Sequence, residues 1–220
     1  MKAAIILFLC ALPLTIGASQ KAVTEEGDVV ILNADGTWVY EDGSASRDFK
    51  ISTNPNTFST PNTANFTLKS TSSNATFSID SKKWKFKKNE NGHDSAEYAF
   101  EFKKGDLYGL AITEEVEIGL EDLTKIAFEN ATGAAPDIQI VKKEYRMVNG
   151  EKLIYMEMVG TIQSIQFQYL GYYHSNEYGS TQFLTYTGKS LVEKYRKDID
   201  DFLNGFSTAQ QAKSNSLKGG

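Results

Sequence analysis

The side chains with most chemical promise sit in short polar stretches between apolar runs. In "ILNADGTWVYED", residues 31–42, Asn33, Asp35 and Gly36 stand where a calcium loop places oxygen ligands and its turn glycine. If Gly36 is sixth in such a loop, Ile31 becomes the first ligand, and Ile31 has no oxygen to give. The closing position falls on Asp42, shorter than the bidentate Glu it requires. The flanks "DVVIL" and "TWVY" are β-branched and aromatic, so Asn33-Ala34-Asp35-Gly36 reads as a turn between two strands. Trp38, just past that turn, is a candidate binding residue. Gly188-Lys189-Ser190 lies between a strand and a helix, where a phosphate loop would stand. Such a loop needs a second glycine at position 183, which is Phe, and Ser190 is better read as a helix cap.

Two histidines could act as bases. His93 lies beside Asp94 in "NENGHD", and His174 closes an aromatic strand ahead of "SNEY". A hydrolytic triad also needs a nucleophile and an orienting carboxylate in contact, and no Gly-x-Ser-x-Gly elbow is present. A zinc site needs three or four ligands at close spacing, which one His in each of two loops does not supply. The acids of "EEVEIGLED" and of the last helix match a helix start and a solvated face. No cofactor or metal set is legible, and enzymatic activity is left open, with the residues weighing against it. "FQYLGYYHSNEYGSTQFLTY" gathers Phe167, Tyr169, Tyr172, Tyr173, Tyr178, Phe183 and Tyr186. Alternation sends some of these to the core, and the consecutive Tyr172-Tyr173 must split between faces. Tyrosines left outside bury large area at little entropy cost. Tyr172, Tyr173, His174 and Tyr178 therefore join Trp38 as the candidate binding set.

These residues need a frame to hold them. Residues 1–19, with a Lys2 start, the run "AAIILFLCALPLTI" and small residues Gly17 to Ser19, read as a signal peptide. No further apolar span follows, so no membrane span is expected after cleavage. Cys10, the only cysteine, lies inside that run, leaving the rest of the chain without thiol chemistry. A cysteine-free exported chain suits a bacterial periplasm or secretion, and the Asn-x-Ser/Thr matches at Asn65, Asn74 and Asn130 then read as chance. The formal net charge of −5 over 220 residues is not the footprint of a nucleic-acid binder. Residues 20–43 form a β-hairpin module. Residues 44–76, rich in Ser, Thr, Asn and Pro, offer few apolar groups to bury and read as a flexible linker. From residue 77 to 206 the pattern is globular. Trp84 and Phe86 alternate with lysines, and "EYAFEF" and "LYGLAIT" make a hairpin. "GLEDLTKIAFENA" shifts to helical spacing, with Leu120, Leu123, Ile126 and Ala127 on one side. Asn149-Gly150 joins two alternating runs in a tight hairpin. Ser190 and Glu193 open a capping box for a last helix, whose stripe is Leu191, Tyr195, Ile199, Phe202 and Phe206. The fold class is α+β: an antiparallel β-sheet with a mid-chain helix and a C-terminal helix, plus the small N-terminal hairpin. Residues 207–220 read as a disordered tail.

The Trp-bearing strand "KKWKF", the hairpin "YRMVNGEKLIYMEM", the aromatic strand "FQYLGYYH" and the closing "TQFLTYTGKSLVEKYRKDIDDFLNGF" resemble the PsbP-like fold, named for an extrinsic protein of photosystem II. That resemblance covers residues 77–206 and implies an α/β/α sandwich. It also implies an accessory or binding role, without catalytic residues common to the group and with no ligand positions to carry over. The "DGTW" hairpin looks like a short module found ahead of varied domains in exported bacterial proteins. The resulting expectation is an exported, non-catalytic accessory or binding protein of the bacterial envelope, whose partner is an envelope protein or a small ligand. The alternatives are an envelope hydrolase with His93 or His174 as base, and a structural envelope component.

Overall fold

The computed structural model describes residues 20–23, 29–32, 38–40, 50–89 and 96–209. The signal-peptide segment, the Asn33 to Gly36 turn, His93 and residues 210–220 lie outside them. The chain divides into two compact units, Met1–Ala45 and Ser46–Gly220. In the first, β1 (Gln20–Val23), β2 (Val29–Leu32) and β3 (Trp38–Tyr40) form an antiparallel sheet in the order β1-β2-β3. The expected hairpin is thus β2-β3, and Gln20–Val23 adds a third strand to it.

The second unit runs β4 (Ser52–Phe58), β5 (Phe66–Lys69), β6 (Ala75–Ile79), β7 (Trp84–Lys88), β8 (Tyr98–Phe102) and β9 (Leu107–Glu114). Helix α1 (Leu120–Ala134) follows, then β10 (Gln139–Val148), β11 (Glu151–Ile162), β12 (Ile165–Asn176) and β13 (Gly179–Gly188). Helix α2 (Val192–Leu203) and β14 (Phe206–Thr208) close the unit. Eight strands form one sheet in the order β4-β10-β11-β12-β13-β9-β8-β7, and β14-β6-β5 form a second. All neighbours in the large sheet are antiparallel except β4, which lies parallel to β10. The Asn149-Gly150 turn has φ of 50° and 87°, the left-handed pair that a tight hairpin requires.

One face of the large sheet carries Tyr155, Tyr172, Phe183 and Phe100, and α2 and the small sheet close over it. Phe183 stacks on Phe202 of α2 at 4.5 Å and meets Phe77 of β6 at 4.8 Å. A Cβ on Gly109 would stand 2.9 Å from the Phe202 ring, and one on Gly205 would stand 1.9 Å from the Ser78 carbonyl. These two positions set how close helix and small sheet can come. On the opposite face α1 packs over β11 and β12. The result is the expected α+β sandwich.

Several expectations are corrected. The linker proposed over residues 44–76 is folded from Ser52 onward, as β4, β5 and the start of β6. Its own apolar content is low, but sheet edges supply its backbone partners, and its polar side chains satisfy the turns. Asn65 Oδ1 accepts from the Ser81 amide, Ser70 Oγ from the Ser72 and Ser73 amides, and the Asn54 side chain donates to Glu144. The start of the tail is likewise ordered, because Ser207 and Thr208 pair with β6. The Ser190 capping box does not form: residues Lys189–Leu191 make a 3-10 turn, and Glu193 pairs with Arg196 instead. Phe206 belongs to β14 rather than to the helix stripe. In α1 the buried residues are Leu123, Thr124, Ala127 and Phe128, while Ile126 is exposed.

Candidate functional site

The expected tyrosine-rich surface at residues 172–178 is mostly interior. Tyr172 and Tyr173 do split between faces, yet both are buried, since α2 and α1 cover the sheet on opposite sides there. The Tyr172 hydroxyl donates to Asn204 Oδ1 at 2.6 Å and accepts from Arg146 at 3.4 Å. Burial pushes its pKa up to about 12, and burial alone raises that of Tyr173. Tyr178 sits exposed in the β12-β13 turn. Trp38 lies in β3, and its side chain falls outside what is described.

His174 is buried with its ring against Phe206, and its Nε2 lies 3.3 Å from Glu151. Thr208 donates to the other oxygen of that carboxylate at 2.7 Å. A His, a carboxylate and a hydroxyl thus converge, but in the wrong order. A base must stand between nucleophile and carboxylate, whereas here Glu151 stands between Thr208 and His174. Burial lowers the His174 pKa against the pull of Glu151. The cluster ties β14 to β11 and β12.

A second polar cluster is also closed. Arg146 donates to Glu144 at 2.6 Å and stacks on the Tyr155 ring, 3.6 Å from its centre. Tyr155 and Gln168 each donate to Glu157 at 2.6 Å, and Arg196 of α2 reaches it at 3.4 Å. Burial disfavours the Glu144 charge, yet hydrogen bonds from Asn54 and Arg146 hold its pKa below the ordinary range. Among the described residues every buried side-chain polar atom has a partner. Nothing in this cluster is left to grip a ligand.

The open tyrosines lie elsewhere. Cross-strand register lines up Met158, Tyr169, Tyr186, Tyr108, Glu101 and Lys85 as one rung across β11, β12, β13, β9, β8 and β7. All six point to the face that carries α1, but α1 packs mainly over β11 and β12 and meets β10 through Glu121 and Tyr145, leaving Tyr108 on β9 exposed. Tyr108 and Tyr186 stack at 5.4 Å and 22°, and Tyr186 meets Tyr169 at 5.7 Å. Tyr108 is exposed, and the other two are half-buried. Burial raises the pKa of Tyr169 and Tyr186, so both stay neutral phenols. Beyond Tyr108 the face dips into a groove of about 350 Å³, lined by Lys85, Lys87, Ala99, Glu101, Tyr108 and Leu110. Lys85 pairs with Glu101 at 3.1 Å, while Lys87 makes no ion pair among the described residues.

Tyr169 and Tyr186 belonged to the expected aromatic cluster; Tyr108 did not. The missing signal was register, because Tyr108 faces Tyr186 only once β9 pairs with β13. Among the described residues no three His, Cys, Asp or Glu side chains form a metal-holding group, and no helix is long and apolar enough to cross a membrane.

The fold is PsbP-like. It matches the solution structure of cyanobacterial PsbP (CyanoP) from Synechocystis with a TM-score of 0.50 and 14% identity, over 65% of this chain and 91% of that one. A Pseudomonas aeruginosa protein of unknown function, PA94, matches with a TM-score of 0.38 and 9% identity, over 56% of this chain and 83% of that one. No family model and no curated protein matches the sequence.

Proposed function

We propose that this chain is a non-catalytic binding or accessory protein of the bacterial envelope, exported by its N-terminal segment to the periplasm or beyond. Its working surface is the uncovered half of the large sheet, and the observation that carries this reading is the Tyr169-Tyr186-Tyr108 rung. Three aromatic rings in register on a sheet face left open by its helix are more than scattered surface apolarity, which needs no explanation. Aromatic side chains so placed offer large contact area at low entropy cost. The PsbP-like fold is compatible with an accessory role. The His174, Glu151 and Thr208 order argues against a hydrolase with His174 as base.

The test is thermal unfolding of residues 20–220 with divalent metals, sugars, lipids, aromatic acids and envelope polymers. A ligand at a hundred times its dissociation constant stabilises by about 2.7 kcal/mol, and Tyr108→Ala with Tyr186→Ala should abolish the shift. A shift that survives both substitutions places binding on another surface. Export is read separately, by fractionating cells that carry the tagged full chain; retention in the cytosol defeats that part.

A further inference from the structure

The groove beside Tyr108 has a shape and a charge that select one kind of occupant. The tyrosines stack side by side across the strands, so each inner ring face meets its neighbour. The stack runs Tyr169, Tyr186, Tyr108 and then stops, because the next strand offers Glu101 on that rung and Ala99 on the adjacent one. Tyr108, exposed at the end of the stack, therefore lines the groove. Ala99 lies between Leu110 and Lys87 by register, and its methyl and the Leu110 side chain make an apolar floor. The strands β9 and β7, which carry the two walls, are two strand spacings apart, roughly 10 Å. A flat ring needs about 7 Å between the atoms on its two sides, twice the optimal carbon contact. On the Ala99 rung the slot thus takes one ring thickness, with Leu110 and the neighbouring Tyr108 on one side and the Lys87 stem on the other, while Glu101 fills the same gap on the Tyr108 rung.

Charge narrows the choice. Lys85 is offset by Glu101, whereas Lys87 brings an ammonium group to the far wall with no ion pair among the described residues. The groove therefore presents one net positive charge at one end of an aromatic slot. We infer that it binds a small aromatic anion, a flat arene carrying one carboxylate, with the ring over Ala99 beside Tyr108 and the anion at Lys87. The volume of about 350 Å³ is at the lower end for small-molecule sites and suits one or two fused rings. Glu101 disfavours a second negative charge on the ligand. This inference rests on the binding reading above and adds the ligand class to it.

The probe is 2-naphthoate, titrated calorimetrically into residues 20–220 and compared with 2-naphthol and with hexanoate. Naphthoate should bind, with naphthol and hexanoate each weaker by about tenfold, since one lacks the anion and the other the ring. Ala99→Leu fills the slot at an exposed strand position and should abolish naphthoate binding with the far-UV circular dichroism unchanged. Lys87→Ala should bring naphthoate down to naphthol and leave naphthol unaffected. No naphthoate binding, or binding unchanged in Ala99→Leu, overturns the inference. Equal affinity for naphthoate and naphthol overturns its anionic part. If another compound of the thermal panel stabilises the chain through Tyr108 and Tyr186 while naphthoate gives no heat, the ligand class falls and the binding face stands. If neither binds, both fall.

Discussion

The two faces of the large sheet use tyrosine in opposite ways. On the face under α2, Tyr155 and Tyr172 are buried, and each hydroxyl has a specific partner, Glu157 and Asn204. Their rings meet edge to face at 5.8 Å, with the Arg146 guanidinium against Tyr155. On the other face, Tyr108, Tyr169 and Tyr186 stack chiefly on one another, and Tyr108 is open. A buried hydroxyl must be paired or its desolvation goes uncompensated. A half-exposed one keeps its water and leaves the ring free for contact. What lies over a strand, rather than the residue type in it, decides whether a tyrosine holds the fold together or faces outward.

Arg146→Ala should break that contrast most visibly. It takes from the buried Glu144 carboxylate its closest cation, leaving only the Asn54 hydrogen bond and the more distant Lys142 ammonium at 3.4 Å. Removing one partner of a buried ion pair costs about 3–5 kcal/mol when the other charge is left uncompensated, so with Asn54 and Lys142 remaining the loss should be about 3 kcal/mol, measurable by urea unfolding. Tyr108→Ala should cost under about 1 kcal/mol, the scale of its one stacked cross-strand pair, while removing ligand binding. Equal losses would mean that the open rung is structural after all. Between these extremes falls Tyr172→Phe. It keeps the ring but leaves Asn204 Oδ1 without its 2.6 Å donor, for a loss of about 1–2 kcal/mol. No measurable loss would mean that water replaces the phenol, and that the buried network is looser than its distances imply.

The same contrast explains which parts of the molecule were legible in sequence. The Asn149-Gly150 hairpin, the mid-chain and C-terminal helices and the Tyr172-Tyr173 split all follow from local chemistry or from a period of two, and all are present. Strand β4, "STNPNTF", has no apolar alternation, and its Thr and Phe are interrupted by Asn and Pro, which strands disfavour. It exists because β10, far away in sequence, offers it an edge. Tyr169 and Tyr173 share a face and a strand, yet Tyr173 is buried and Tyr169 half-exposed. No pattern within β12 separates them, because the difference is how far the α1 layer extends. The Tyr108-Tyr186 pair depends on joining β9 to β13 across the whole α1, β10, β11 and β12 excursion. Register between distant strands is set by the assembled sheet, so the groove could not be read from one segment.

The smallest effect concerns a charge on α2, beside the buried network. Burial raises the pKa of Asp200 above 3.8, against the pull of Arg196 and Arg146, and Glu157 and Asp201 add to the rise. For an acid raised in the folded state, the folded chain binds the proton more tightly than the unfolded one. The stability linked to this group is thus fully present below 3.8 and is lost as pH rises through the folded value. At neutral pH Asp200 carries the cost of a half-buried charge. Asp200→Asn keeps the shape and removes that cost, so the unfolding midpoint at pH 7 should rise by about 2 °C. The gain should shrink to nothing as pH falls toward 3.8. A drop at pH 7 would mean that attraction to Arg146 and Arg196 outweighs desolvation. Asp200 would then belong to the charge balance of the closed face, and that face would need its acids as much as it needs Arg146.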